Sequence, residues 1–288
     1  MELIDTHAHL DDHALASQLS AVLDRARDAK VPQIIAIGTS AASSRRCVEL
    51  ASQHAGVFAA VGIQPNHCSE VEPGDWDAIV TMARSPKVVA VGETGLDCYW
   101  NDVPFDVQRD YFDRHLRLSQ DTGLPFIVHM RETDKPGKFF ADDACVTAIL
   151  DMLTAARNRG ELAGVMHSYT GTASRVEAFV SLGMYVSFAG MLTFKKSEAL
   201  RSAAQLVPLD RLLVETDSPY LSPEPFRGRR PNEPARVVHT ATTLAEIRGI
   251  TLDDLSRQTT ANARRLFRLP KVLHSSRVPS NDSDRIDG

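Results

Sequence analysis

Short runs of apolar, mostly β-branched residues alternate along this chain with longer stretches whose apolar positions recur every three or four residues, the pattern of βα units around a parallel sheet. The runs predict strands over Leu3–His7, Gln33–Gly38, Phe58–Ile63, Val88–Gly92, Pro125–His129, Gly164–His167, Tyr185–Phe188 and Leu212–Glu215. The longer stretches predict helices over Leu15–Asp28, Ala41–Gln53, Asp106–Thr122, Val146–Asn158, Ser174–Leu182 and Ser197–Gln205. Two more follow, Pro234–Arg248 and, after a Gly-Ile-Thr break, Leu252–Phe267. Eight strands is the number that closes a barrel, and 288 residues is close to the ~250 of a (β/α)8 fold. The expected fold class is therefore α/β, a single (β/α)8 TIM barrel over residues 1–270, with no internal repeat or linker to divide it. After Leu269-Pro270, the segment from His274 to Gly288 is rich in Ser, Asp and Arg and holds only Val278 and Ile286 as strong apolar positions, so a disordered tail is expected over 271–288.

Composition narrows the function more than the fold. A net charge of -5 excludes a protein that holds nucleic acid by a generally basic surface, so any polyanionic substrate must be met by metal ions and a local basic cluster. Cys47, Cys68, Cys98 and Cys145 are far apart and form no CxxC pair, which argues against a zinc knuckle or a disulfide framework and for a reduced, cytoplasmic setting. The opening Met1-Glu2-Leu3-Ile4-Asp5 is acidic and leads straight into a strand, unlike a secretory signal. No stretch approaches the ~20 apolar residues that span a bilayer. A soluble, unprocessed chain without membrane contact is expected.

The chemistry collects at the predicted strand ends. In Ile4-Asp5-Thr6-His7-Ala8-His9-Leu10, alternation places Asp5, His7 and His9 on one side, so two imidazoles reach one place. Active sites of barrels lie at the carboxyl ends of the strands. His7 and His9 close the first strand, Glu93 the fourth, His129 the fifth and His167 the sixth, and Asp217 follows the eighth. Each residue has a plainer reading: a lone histidine at a strand end is commonly a hydrogen-bonded structural group, and Asp217 or Asp97 could be a helix cap or a turn acid. Six metal-competent side chains at equivalent positions on five strands outweigh those readings. His54, His115 and His239 fall within helical patterns and His13 just before one, so they are assigned structural roles; His67, in a loop, stays open.

The combination of Asp5-Thr6-His7-Ala8-His9, Gly92-Glu93-Thr94-Gly95-Leu96-Asp97, Val128-His129, His167-Ser168-Tyr169-Thr170-Gly171, Glu215-Thr216-Asp217-Ser218-Pro219-Tyr220-Leu221 and Arg227-Gly228-Arg229-Arg230-Pro231-Asn232-Glu233-Pro234 resembles the TatD family of metal-dependent deoxyribonucleases, within the amidohydrolase-like barrels. The resemblance implies two divalent cations, Mg2+, Mn2+ or Zn2+. One would lie among His7, His9, Glu93 and Asp217 and the other among Glu93, His129 and His167, with Glu93 bridging. It also implies hydrolysis of a phosphodiester by an activated water, on single-stranded DNA or 3′ ends as an exonuclease; a monomer is expected, although the sequence does not reveal the oligomeric state. Glu93 and Asp217 would be the catalytic carboxylates, Asp217 as ligand and proton acceptor.

Substrate phosphates are expected on Arg131, on Lys196 beside Lys195, and on Arg229 and Arg230 beside Arg227, a local positive rim in the βα loops. For Arg227 or Lys195 alone, a solvated surface charge is an equal reading. Tyr99 and Trp100 either stack on a base or pack on their loop. The chain departs from the family pattern at Gln64, where relatives usually place histidine, at Met130, and in the longer loop over 134–140; these bear on substrate choice rather than on metal binding. Two rivals remain: an amidohydrolase cleaving a lactone, amide or phosphotriester, and a metal-binding scaffold without turnover. The Arg-Gly-Arg-Arg run and the lysine pair favour the phosphodiester, and the intact six-ligand set speaks against a scaffold.

Overall fold

Eight parallel strands pair in strict chain order in the computed structural model, which describes residues 1–100, 102–134 and 140–271. They are β1 (Ile4–Ala8), β2 (Gln33–Ile37), β3 (Val57–Val61), β4 (Val88–Asp97), β5 (Phe126–Arg131), β6 (Gly164–Met166), β7 (Met184–Phe188) and β8 (Leu212–Val214). The helices are α1 (His13–Ala16), α2 (Leu19–Asp28), α3 (Ala41–Gln53), α4 (Asp75–Met82), α5 (Phe105–Thr122), α6 (Ala144–Arg159), α7 (Ala173–Ser181), α8 (Glu198–Leu206), α9 (Val237–Arg248) and α10 (Leu252–Phe267). Ala8 bridges in parallel to Ser218; His9 N donates to Ser218 O at 2.7 Å and Asp217 N to His7 O at 2.9 Å, which brings the last strand back to the first. The result is the expected eight-stranded TIM barrel.

Strands buried on both faces read as unbroken apolar runs, and β2 shows why. Ile35 and Ile37 face an inner cluster with Ile4, Phe58, Ile127, Val165 and Leu213, while Ile34 and Ala36 pack outward among the helices. Leu266, Phe267 and Leu269, at the end of α10 and just beyond, join the inner cluster and plug one end of the barrel. The other end, where β4 and β5 stop, stays polar. There the sequence reading needs correction: β4 does not stop at Gly92 but continues to Asp97, paired Gly95 to His129 and Asp97 to Arg131. Its glycines, which resemble turn residues, serve a close approach instead. Gly95 has φ +131°, and a Cβ there would lie 2.1 Å from the His129 carbonyl oxygen.

Two other elements differ from expectation. The helix predicted over Leu15–Asp28 is broken into α1 and α2 at Ser17 and Gln18, although Leu15, Leu19, Val22 and Leu23 continue one apolar stripe. The eight-residue α4 was not predicted; it begins behind Gly74 in a left-handed conformation and buries only Ile79 fully. The tail expected beyond residue 271 and most of the loop over 134–140 lie outside the described residues. No helix among the described residues is long and apolar enough to cross a membrane.

Candidate active site

A cavity of about 1000 Å³ opens at the carboxyl ends of the strands, lined by His9, Glu93, Asp97, His129, His167 and Asp217 among others. Beneath it the predicted ligands converge. The Nε2 atoms of His7 and His9 lie 3.3 Å apart, and Asp217 Oδ1 is 3.6 Å from the first and 3.3 Å from the second. Glu93 Oε2 is 3.5 Å from His7 Nε2 and 3.9 Å from His9 Nε2. The other oxygen of the same carboxylate, Oε1, is 2.8 Å from His129 Nδ1 and 3.1 Å from His167 Nε2. Asp217 reaches its position from a left-handed backbone, φ +55°, which aspartate tolerates better than most residues.

These residues fit a divalent cation. Donors around one tetrahedral ion with bonds of about 2.1 Å sit about 3.4 Å apart, close to the separations among His7, His9 and Asp217. Imidazole nitrogens and carboxylate oxygens form a donor set suited to small dications. His7 Nδ1 is buried with no hydrogen-bond partner, so this ring is held through its other nitrogen, the one aimed into the cluster. Asp5, expected beside the two histidines, does not join them. Its carboxylate accepts from Thr216 N at 2.9 Å and Thr216 Oγ1 at 2.5 Å, tying the end of β8 to β1.

The electrostatics favour ionised carboxylates at the cluster. Burial by itself would raise Glu93, but the charge of His167 and hydrogen bonds from His129, His167 and His7 hold its carboxyl well below the usual range. Asp217 is likewise lowered against burial, by the hydrogen bond from His9 and the charges of His7, His9 and His167. The reciprocal effect raises the imidazoles: burial lowers His9, yet Asp217 and Glu93 bring it up to about 9, and His129 and His167 are also raised by their carboxylates. His7 is lowered, by burial and by the charge of the ring of His167 stacked 3.9 Å away.

Around the candidate ligands stands a set of residues the sequence did not single out in these roles. Asp97 is a turn acid, since its Oδ1 accepts from Tyr99 N and Trp100 N at 2.8 and 2.9 Å, but its Oδ2 also accepts from His129 Nε2 at 2.9 Å and Asn66 Nδ2 at 3.1 Å. Glu215 lies 3.3 Å from His167 Nδ1 and accepts from Ser168 N at 2.6 Å. Carboxylates behind ligating histidines fix which ring nitrogen faces the metal. A carboxylate one strand away from its histidine gives no sequence signal; only the register of β4 on β5 brings Asp97 to His129.

Of the residues expected to hold substrate, Arg131 and Arg230 line the cavity, whereas Lys196 and Arg229 are exposed outside its lining. Arg227 lies over the ring of Phe194 at 4.2 Å. Arg46, on α3 and paired with Asp11 at 2.9 Å, lines the cavity without having been anticipated; Gln64, expected to bear on substrate choice, and the open case His67 line it as well. His115 has the structural role expected: its Nε2 accepts from Ile63 N at 3.0 Å deep under the barrel wall.

A parallel barrel that gathers histidines and carboxylates at its strand ends defines a metal-dependent hydrolase of the amidohydrolase-like class. The profile of the TatD related DNase family matches residues 4–268, and the chain belongs to that family. It is 34% identical over 269 residues to an uncharacterized metal-dependent hydrolase, YabD, of Bacillus subtilis (strain 168), covering 93% of this chain and 99% of that protein. Identity is also 34%, over 273 residues, to a protein of Erwinia billingiae (strain Eb661) named 3'-5' ssDNA/RNA exonuclease TatD, covering 93% and 100%. The crystal structure of YjjV, a TatD homolog from Escherichia coli K12, superposes with a TM-score of 0.83 at 29% identity, over 93% of this chain and 98% of that one.

Proposed function

We propose that this chain is a deoxyribonuclease that hydrolyses phosphodiesters of single-stranded DNA from a 3′ end, with two divalent cations, Mg2+, Mn2+ or Zn2+. His7, His9, Asp217 and Oε2 of Glu93 would hold one cation, and His129, His167 and Oε1 of Glu93 the other. The observation that carries the reading is the divided use of Glu93, whose two oxygens face two separate groups of imidazoles. The name of the Erwinia relative supports the single-stranded substrate and its polarity. The four cysteines are buried and unpaired, which suits a reducing cytoplasm.

Bound dications would supply Lewis acidity, lowering the pKa of water and offsetting charge on the phosphoryl oxygens. The chain's own residues do the rest. Asp217, kept ionised and open to the cavity, accepts the proton of the attacking water at a carboxylate oxygen. Arg131 at the end of β5 and Arg230 beyond β8 grip strand phosphates at the mouth, and Lys196 and Arg229 extend the basic rim outward. As the water oxygen bonds to phosphorus, the bond to the leaving sugar oxygen breaks and a proton passes to that oxygen.

The test is cleavage of end-labelled single-stranded DNA with Mg2+, Mn2+ or Zn2+, beside a panel of lactones. Stepwise loss from the 3′ end, abolished in His129→Ala and Asp217→Asn, is expected. Lactone turnover without DNA cleavage would transfer the site to the rival amidohydrolase reading, and full metal occupancy with neither turnover would leave a scaffold.

A further inference from the structure

Among the described residues, two large aromatic side chains stand well exposed, Trp100 at 55% and Tyr220 at 42%, and both line the active-site cavity. Tyr220 is engaged there, donating to Asp12 at 3.2 Å and meeting the His9 ring edge-on at 5.8 Å. Trp100 presents an indole to the cavity with no comparable side-chain hydrogen bond to the described residues. A side chain of this size is ordinarily buried, so an indole left in water at the mouth of a catalytic cleft has a surface to offer.

Its backbone is anchored. Trp100 comes three residues after β4, and its backbone N–H is held by Asp97, the carboxylate that also holds His129. Its ring meets Tyr99 at 4.9 Å and 82°, and on that same Tyr99 ring lies the guanidinium of Arg131, 4.6 Å from the centroid. Indole and guanidinium thus flank one tyrosine ring and line the same cavity as the proposed metal ligands. A neutral lactone has no need of this pair. A nucleotide matches both halves, with a planar base for the indole and a phosphate for the arginine.

We propose that Trp100 is a stacking platform for one unpaired nucleobase next to the phosphodiester under attack, with Arg131 taking the phosphate of the same nucleotide. The proposal rests on the nuclease reading above and adds a determinant of specificity to it. A base inside a duplex is stacked on both faces and cannot offer one to Trp100, so the platform selects single-stranded or frayed ends, and it accepts any base because every base has a π-face.

The experiment crosses enzyme variants with substrates. Steady-state cleavage of a short oligodeoxythymidylate is compared with the same strand carrying one abasic site, moved position by position from the 3′ end. In the wild type, one abasic position raises KM by about 10- to 100-fold. In Trp100→Ala and Trp100→Leu that ratio collapses to near unity, because the normal strand has lost the same contact, while Trp100→Phe keeps most of it. Melting temperatures of the three variants match the wild type, since the side chain is exposed. An abasic penalty undiminished in Trp100→Ala overturns the proposal.

A second measurement keeps this separate from the nuclease reading. Trp76, the other tryptophan, packs against Tyr111 and His115 on the outside of the barrel, so Trp76→Phe leaves Trp100 as the only indole emitter. Quenching by oligodeoxythymidylate but not by an all-abasic strand supports stacking, even for a chain that cleaves no DNA; equal quenching by both overturns it. Failure of cleavage with quenching intact would count against the nuclease and not against the platform.

Discussion

Replacing Asp97 by Asn exchanges one carboxylate oxygen for an NH2 group and leaves the size of the side chain unchanged. One half of its work survives, because the remaining carbonyl oxygen can still accept from Tyr99 N and Trp100 N at 2.8 and 2.9 Å. The other half inverts. Oδ2 now accepts from His129 Nε2 at 2.9 Å and Asn66 Nδ2 at 3.1 Å; an amide nitrogen there faces two donors. The imidazole relieves the conflict by moving its proton to Nδ1, the atom 2.8 Å from Glu93 Oε1, and the lone pair proposed to face the second cation is gone. Outer carboxylates of this kind are worth about 10- to 100-fold in metal affinity, or about 1.4–2.8 kcal/mol. Calorimetric titration of Mn2+ into chelator-stripped Asp97→Asn should therefore show one affinity weakened by that factor and the other nearly unchanged. DNA cleavage should be partly restored by raising Mn2+. Two Mn2+ affinities within twofold of wild type would refute the reasoning, and with it the assignment of His129 as a ligand through Nδ1.

Other consequences follow from single groups. Burial, with the charge of Arg114 and against the hydrogen bond to the Tyr111 carbonyl, pushes fully buried His115 down to about 4 from an ordinary 6.5. Between those values the unfolded chain binds the extra proton, so this contribution to stability is intact above pH 6.5 and is lost as pH falls to 4, by about 3 kcal/mol. Urea unfolding across that window should have a steeper pH slope in wild type than in His115→Gln, which keeps an acceptor for Ile63 N; equal slopes would sink the point. Arg131→Ala should raise KM for single-stranded DNA and flatten its dependence on log salt by about 0.7, the share of one phosphate contact. Lys196→Ala, outside the cavity lining, should matter only for strands long enough to leave the cleft, as assays on short and long oligonucleotides would reveal.

The barrel was readable because its strands are buried on both faces: residues 34–37 and Val57–Val61 are solid apolar runs that no surface element would carry. Where polar chemistry enters a strand the reading failed, as at Gly92 to Asp97, whose glycines and acids belong to an unbroken β4. The six ligand candidates were readable from position alone, since a strand end is a place that the topology of a barrel fixes. Their partners were not: Asp97 had the outward signs of a turn acid, and its second role depends on a histidine 32 residues away. The basic residues show the opposite limit. Arg229 and Arg230 are neighbours in sequence, yet only Arg230 lines the cavity, because successive side chains of an irregular loop point in unrelated directions.

The junction of β1 and β8 gives the proposed metal centre a mechanical side. β8 has only three residues, and the first and last strands of the sheet meet there through few hydrogen bonds, those to the carboxylate of Asp5 among them. His7 and His9 stand on one lip of that join and Asp217 on the other, so an ion gripped by all three is a clasp across the weakest stave. Such a clasp can shut only after the final strand has been made, and stripping it should loosen the ring at this joint before any other.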